Sequence, residues 1–191
     1  MPAAKKKTNM LYIELIVGCC AILVGLCALF VSIYEAKIFK QQQKASVWPY
    51  LEFSYNIYNP GFSYEVQNKG VGPAIIQWVI VKIDGKPISS WRAYAQTILI
   101  PDSTKYRISV SSISDRVISP NEKIELFSIK DSHGARLARR SNDKVSFKIC
   151  YKSIFNDYWI MSYDSSRFKT ISVENPEKEI KPRNRIGIVL P

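Results

Sequence analysis

An uninterrupted apolar segment near the N-terminus constrains this chain more than any other feature of its sequence. The run LYIELIVGCCAILVGLCALFVSI contains a single charged residue, Glu14. The uncharged part that begins at Leu15 is about 28 Å long as an α-helix, close to the ~30 Å hydrocarbon thickness of a bilayer. We therefore predict a transmembrane helix over residues 11–34 that contacts the lipid bilayer, preceded by a basic N-terminal segment over residues 1–10.

Two processed forms are alternatives to a permanent anchor. Ile16-Val17-Gly18-Cys19 formally matches a lipoprotein cleavage box, but the longest apolar run follows the cysteine instead of preceding it. A cleaved secretory signal has a shorter apolar run and a small-x-small site before a polar mature start. Both comparisons favour an uncleaved helix.

Lysines flank the apolar run on both sides, so the numbers of positive charges that the positive-inside rule compares are nearly equal. The tight cluster before the helix favours an N-terminus in the cytoplasm, which places the remainder of the chain in the periplasm, outside the inner membrane. The lysines before the helix are Lys5, Lys6 and Lys7, and those after it are Lys37, Lys40 and Lys44.

Small residues recur at spacings of three and four along the predicted helix. They are Gly18, Ala21, Gly25, Ala28 and Ser32, which share one helical stripe. Such a stripe allows close approach of a second helix in lipid. We expect a helix-packing seam for a copy of this chain or for another membrane protein, although glycine and alanine are common in membrane helices without such a role.

After a polar juxtamembrane linker over residues 35–47, the hydrophobic period changes from helical to two. The stretches FSYEVQ and VSFKICYK alternate apolar with polar side chains, as half-buried strands do. The stretch AIIQWVIVKI is apolar and rich in β-branched residues, which is typical of a central strand. We expect its tryptophan and the tyrosines of the chain to contribute to the core.

Turn residues separate these predicted strands at short intervals. Asn59-Pro60-Gly61, Asp84-Gly85 and Asn156-Asp157 each lie between two strand-like runs. The spacing predicts a mainly β domain over residues 48–175, an antiparallel sandwich or barrel. A basic C-terminal tail over residues 176–191 follows.

Two stretches do not follow the strand pattern. Ser90–Thr97 is either a short helix or irregular, and Gly134–Asn142 is an arginine-rich connection with room for one helical turn.

Several turn motifs resemble those of bacterial immunoglobulin-like adhesion modules. The stretch VQNKGVGPA carries their turn motif at Asn68, Gly70, Gly72 and Pro73, and VISPNE resembles a later Pro-Gly-Glu turn with asparagine at the glycine position. Together with Trp48-Pro49-Tyr50 and CYKS, these motifs are also similar to a set of uncharacterised membrane-anchored bacterial proteins. The resemblance implies an antiparallel immunoglobulin-like β-sandwich preceded by one transmembrane helix, and it implies no chemistry.

The residues offer little for catalysis or metal binding. His133 is the only histidine, and its neighbours Asp131 and Ser132 do not amount to a triad, because triad geometry is created by the fold. Only Cys150 lies outside the apolar run, so neither a zinc site nor a disulfide framework is expected. We predict a protein without a cofactor, and an enzyme ranks last among the possible functions.

A basic cluster is the remaining candidate for a binding site. It comprises Lys130, Arg136, Arg139, Arg140 and Lys144 in a chain of formal net charge +11. Anionic lipid, an acidic polymer or an acidic protein would suit it, and so would a role as solvated surface. Nucleic acid is not expected, since the domain is predicted to face the periplasm.

The sequence as a whole indicates a membrane-anchored, non-enzymatic binding or assembly module that acts through protein–protein contacts in the bacterial envelope. The alternative is a binder of anionic envelope polymer or lipid headgroups through the basic cluster. No small-molecule substrate is indicated.

Overall fold

The computed structural model describes residues 3–99, 105–164 and 167–174, with side chains described from Tyr12 onward. The chain divides into two compact units, Met1–Ala45 and Ser46–Pro191. The predicted tail over residues 176–191 lies outside the described residues.

The first unit is formed by one long helix. Helix α1 spans Ala3–Ser46, and its side chains are exposed along the apolar run. Its part from Tyr12 onward is long and apolar enough to cross a membrane. The helix continues through the polar stretch assigned to the juxtamembrane linker and ends before Pro49, which disfavours helical geometry in the preceding residue. The prediction of a long apolar N-terminal helix is confirmed.

The second unit is mainly β. Its described elements are, in chain order, β1 (Leu51–Tyr58), β2 (Gly61–Asn68), β3 (Ala74–Ile83), β4 (Lys86–Pro87), α2 (Trp91–Ile98), β5 (Ile108–Val110), β6 (Val117–Ile118), β7 (Lys123–Ile129), α3 (Ser132–Arg140), a short 3-10 helix (Asn142–Lys144), β8 (Val145–Lys152), β9 (Tyr158–Asp164) and β10 (Arg167–Val173).

The strands form two antiparallel sheets. One has the order β1-β2-β7-β5, and the other has the order β10-β9-β8-β3-β4, with β6 also pairing with β3. Because apolar side chains of both sheets enter one buried cluster, the arrangement is sandwich-like. The prediction of an antiparallel two-sheet architecture is confirmed at this level.

Hairpin turns occupy the predicted positions. Asp84 and Gly85 connect β3 to β4 with φ of 49° and 76°, and their flanking residues Ile83 and Lys86 pair directly. Positive φ at both central residues defines a type I′ turn, which matches the twist of the strands. The stretches at Asn59-Pro60 and Asn156-Asp157 likewise lie between paired strands.

Aromatic rings fill the space between the sheets. The ring of Tyr64 lies 5.8 Å from that of Tyr94 and 5.6 Å from that of Phe147, while Trp91 lies 5.3 Å from Phe147. Helix α2 contributes Trp91 and Tyr94 to this cluster, which explains why the stretch predicted as a short helix or irregular is helical. Its amphipathic face is buried against both sheets.

Trp78 does not belong to this core, contrary to expectation. The pairing of β3 with β8 shifts register between Ile76 and Trp78, so an extra residue is inserted. A bulge changes which side chains face inward. Ile76 and Val79 therefore enter the core cluster, while Trp78 is half-buried opposite Cys150, outside it.

The fully buried side chain of Asn68 connects three backbone segments. Its Oδ1 accepts hydrogen bonds from the amides of Tyr50 (3.2 Å) and Gly70 (3.0 Å). Its Nδ2 donates to the carbonyls of Gly72 (2.8 Å) and Ile118 (3.0 Å). One amide group thus joins the start of β1, the β2–β3 connection and strand β6.

The two glycines of this connection lie against the backbone that follows α1. A Cβ at Gly70 would lie 2.4 Å from the carbonyl oxygen of Trp48, and one at Gly72 would lie 1.8 Å from that of Val47. Any side chain would collide with the main chain there. Pro73 then leads into β3.

In the turn of the stretch VISPNE, Asn121 stands at the position where the similar turns have glycine, and its backbone is in a conformation that suits glycine. Asn121 has φ of 62°, in the left-handed region where asparagine is the best tolerated residue after glycine. Its amide donates to the carbonyl of Asn68 at 2.8 Å, and Glu122 accepts from the amide of Ser119 at 2.8 Å. The asparagine therefore fits the turn.

We predict that Asn68→Ala lowers the free energy of unfolding by at least about 3 kcal/mol, because it leaves buried backbone groups without partners. Urea unfolding of the full chain in nanodiscs, followed by tryptophan fluorescence, measures the change. The neighbouring Gln67→Ala is the control and should change the stability by about 0.5 kcal/mol or less. Equal stabilities of the two variants would show that the four hydrogen bonds of the Asn68 side chain do not stabilise the domain.

Stability should also fall at alkaline pH. Burial raises the pKa of Cys150 to about 12 and raises the pKa values of Tyr64, Tyr94 and Tyr151 above their ordinary 10.0. These groups are neutral when protonated. Their contribution to the free energy of unfolding is therefore complete below their pKa values in the unfolded state. It is lost as the pH rises through their pKa values in the folded state.

The measurement is urea unfolding from neutral pH to about pH 11, above the ordinary tyrosine pKa. Tyr94→Phe removes one such group and should make the decline shallower. A stability independent of pH over this range would contradict the prediction.

Candidate functional site

Helix α3 carries the arginines of the predicted basic cluster. Asp131 caps its N-terminus, where its Oδ1 accepts hydrogen bonds from the amides of His133 (2.9 Å) and Gly134 (2.8 Å). The connection predicted with room for one helical turn is thus a helix of nine residues. Aspartate satisfies otherwise orphaned amides at this position.

Helix α3 buries one face and exposes the other. Gly134 and Ala138 are buried against the sandwich. A Cβ at Gly134 would lie 2.2 Å from the Cδ1 of Ile129, so this glycine permits the close approach. The side chains of Arg136 and Arg139 point away from the core and are exposed, as the 3.6-residue period requires.

The exposed face of α3 borders a groove of about 430 Å³. One wall is the β1–β2 turn, and the other is the helix. We call this cavity the α3 groove; its lining residues are Ile57, Tyr58, Asn59, Pro60 and Gly61 on the turn side, and Ser132, Ala135, Arg136 and Arg139 on the helix side.

A smaller depression of about 220 Å³ lies on the next face of the same helix. It is lined by His133, Arg136, Leu137 and Arg140. His133 stacks on Tyr106, whose hydroxyl lies 2.7 Å from its Nδ1. Arg136 therefore borders both cavities.

Some bases of the described domain form ion pairs with carboxylates, but the arginines of α3 are not among them. Among the described residues, no carboxylate forms an ion pair with Arg136, Arg139 or Arg140. Ion pairs elsewhere join Lys69 to Glu52, Arg116 to Glu122, Lys123 to Glu65 and Lys144 to Asp84. Helix α3 thus presents guanidinium groups that retain their capacity for an anionic partner.

Not all members of the predicted cluster meet at this site. Lys144 lies 3.6 Å from Asp84 and lines a different cavity, of about 440 Å³, near the β3–β4 turn. Lys130 is exposed just before α3 and does not line the α3 groove. Arg136 and Arg139 share the groove, and Arg140 faces the smaller depression.

Tyr58 is the aromatic residue of the groove. Partial burial, followed by the charges of Glu125 and Glu65, raises its pKa. Glu65 is buried and is neutralised by Lys123, whose Nζ lies 2.7 Å from its carboxylate. Tyr58 therefore stays a neutral apolar wall with one hydroxyl.

The geometry around His133 does not assemble a nucleophile. Its Nδ1 faces the hydroxyl of Tyr106, and the side chain of Asp131 is directed to backbone amides instead of the imidazole. Within the described part of the chain, no group of three histidine, cysteine or acidic residues could hold a metal ion. The site can bind an anion next to an apolar surface.

The predicted seam of small residues lies on α1. A Cβ at Gly18 or Gly25 would meet nothing within 4 Å, so both positions are open to a neighbour. The seam stays a prediction.

Sequence reasoning missed the second wall of the groove. The Asn59-Pro60-Gly61 turn was predicted as a turn, yet no local pattern relates it to arginines more than 70 positions away. The exposed apolar pair Ile57 and Tyr58 at the end of a strand was the available signal.

No protein-family model matches the chain, and no curated protein matches it in sequence. Its function is therefore inferred from its own residues and their geometry.

We predict that Asp131→Ala destabilises α3 by about 1 kcal/mol, because two amides lose their acceptor. Hydrogen exchange of the amides at the start of α3 should accelerate by about fivefold, the factor equivalent to that energy. Asp131→Asn retains a capping oxygen and should stay near the wild-type rate. Equal rates in the alanine and asparagine variants would contradict the capping role.

Proposed function

We propose that this chain is a membrane-anchored, non-enzymatic binding module of the bacterial envelope that acts through protein–protein contacts. The observation that carries the proposal is the α3 groove, in which two arginines that pair with no described carboxylate face the exposed apolar residues beside the β1–β2 turn. Charged groups without internal partners beside apolar surface are typical of interaction sites.

The proposal includes an immunoglobulin-like fold for the second unit. Two antiparallel sheets that share one core support it. The Asn68 turn and the Asn121 turn, which carry the resemblance to bacterial adhesion modules, each have a defined structural part in the sandwich. Such modules bind through surfaces on a rigid scaffold.

The proposal also assigns α1 to the inner membrane, with the N-terminus in the cytoplasm and the β-domain in the periplasm. The length and apolar character of α1 support a span. The lysine cluster before the helix supports the orientation. The small-residue stripe supports a second contact, inside the bilayer, with a copy of the chain or another membrane protein.

A cysteine-labelling experiment tests the anchor and its orientation. In a variant without the native cysteines, Val71→Cys, at an exposed position of the domain, should react with a membrane-impermeant maleimide in spheroplasts. Thr8→Cys, before the apolar run, should react only after lysis. Labelling of the Thr8 variant alone in intact spheroplasts would reverse the orientation, and release of the protein by carbonate would refute the anchor.

Photo-crosslinking in the native host tests the protein–protein function. A photoreactive residue at Ile57 should give a discrete protein adduct, whereas the same residue at Lys86, exposed on β4, should give none. Adducts at neither position, together with the absence of a stoichiometric partner on purification in nanodiscs, would refute the proposal.

A second candidate function is binding of anionic envelope polymer or lipid headgroups. Arg139 and Arg140 form no ion pair with a carboxylate of the described residues, which favours this function, since exposed guanidinium groups bind phosphates and carboxylates. Charge reversal at both positions should abolish a salt-sensitive pull-down with anionic polymer or vesicles. Undiminished binding by the reversed variant would exclude this function.

A further inference from the structure

The two walls of the α3 groove offer different chemistry to a ligand. Ile57 is 51% exposed and Tyr58 is 39% exposed, and both follow two further exposed residues at the end of β1. Opposite them, Arg136 and Arg139 lie one helical turn apart, three residues along α3. A single ligand that contacts both walls therefore needs an apolar group as well as anionic ones.

Arg136 and Arg139 balance the charge of no carboxylate within the part of the domain that the structure describes. The carboxylate of Asp131, just before α3, is engaged by the backbone at the N-terminus of the helix. Arg139 lies in the last turn, where a cation stabilises a helix, but Arg136 lies in the middle, where that effect is absent. Charge complementarity thus points to an acidic ligand from outside the described residues.

The apolar wall of the groove distinguishes between sources of negative charge. A phospholipid headgroup supplies an anion without a large apolar side chain beside it. An acidic protein segment supplies both, and its apolar side chain can cover the exposed Ile57 and Tyr58. The lining of the groove therefore favours a protein ligand.

We propose that the α3 groove binds an acidic segment of a partner protein in which carboxylates flank a large apolar side chain. The guanidinium groups of Arg136 and Arg139 bind the carboxylates, and the apolar side chain packs on Ile57 and Tyr58. This inference rests on the proposed function and assigns the chemistry of the partner at this site.

Fluorescence anisotropy with a defined peptide tests the inference. The full chain in phosphatidylcholine nanodiscs is titrated into a short fluorescein-labelled peptide in which glutamates alternate with leucines. Binding should weaken about tenfold or more in the Arg136→Glu/Arg139→Glu variant. Ile57→Ser should weaken it as well, because it removes the apolar contact.

Matched controls separate specific binding from general attraction. The Lys86→Glu/Lys169→Glu variant reverses the same number of exposed charges elsewhere and should bind like the wild type. A peptide in which serines replace the leucines, and one in which lysines replace the glutamates, should both bind at least about tenfold more weakly. Circular dichroism confirms that each variant is folded.

Three results would overturn the inference. They are equal peptide affinity of the groove variant and the wild type, equal loss in the control double variant, and binding of phosphatidylglycerol vesicles that depends on Arg136 and Arg139 when the peptide does not bind. The last result would assign the groove to lipid headgroups. Since the crosslinking at Ile57 identifies a protein contact independently of its chemistry, a failed peptide titration with a discrete adduct refutes this inference alone.

Discussion

The side-chain amide of Asn68 is the interaction on which the arrangement of the domain depends. It satisfies two backbone amides and two carbonyls from segments that are distant in sequence. Each buried backbone group without a hydrogen-bond partner costs about 1–3 kcal/mol, and the total stability of a domain is only about 5–15 kcal/mol. One side chain therefore fixes where β1, β3 and β6 begin relative to each other. Gly70 and Gly72 let the backbone come close enough for these bonds.

The same junction relates the α3 groove to the point where the chain enters the domain. With the entry segment fixed beside the β2–β3 connection, β1 extends from it to Tyr58, where α3 completes the groove. The site is thus built at a loop-and-helix end of a rigid sandwich, which is where binding residues are usually found. The charge of the groove depends on ion pairing: among the described residues no carboxylate pairs with the arginines of α3, whereas Arg116 and Lys123 contact glutamates.

The elements that were predictable from the sequence are those with local causes. Continuous apolarity identifies α1, alternation identifies β2 and β8, and a turn that needs positive φ at Asp84-Gly85 identifies the β3–β4 hairpin. The errors also have physical reasons. Trp78 is outside the core because a bulge shifts the phase of β3, and α3 is longer than one turn, with its N-terminus capped by Asp131 and Gly134 packed on Ile129.

The long apolar helix, the strands and the positions of most turns follow from the sequence alone, because each depends on neighbouring residues. Which arginines share a site depends on the tertiary structure, since their grouping is set by distance in space and not along the chain. Arg136 and Arg139 line the same groove as Ile57, whereas Lys144 lies elsewhere and forms an ion pair with Asp84. The order of strands in the sheets has the same origin, because long-range contacts select among many compatible pairings.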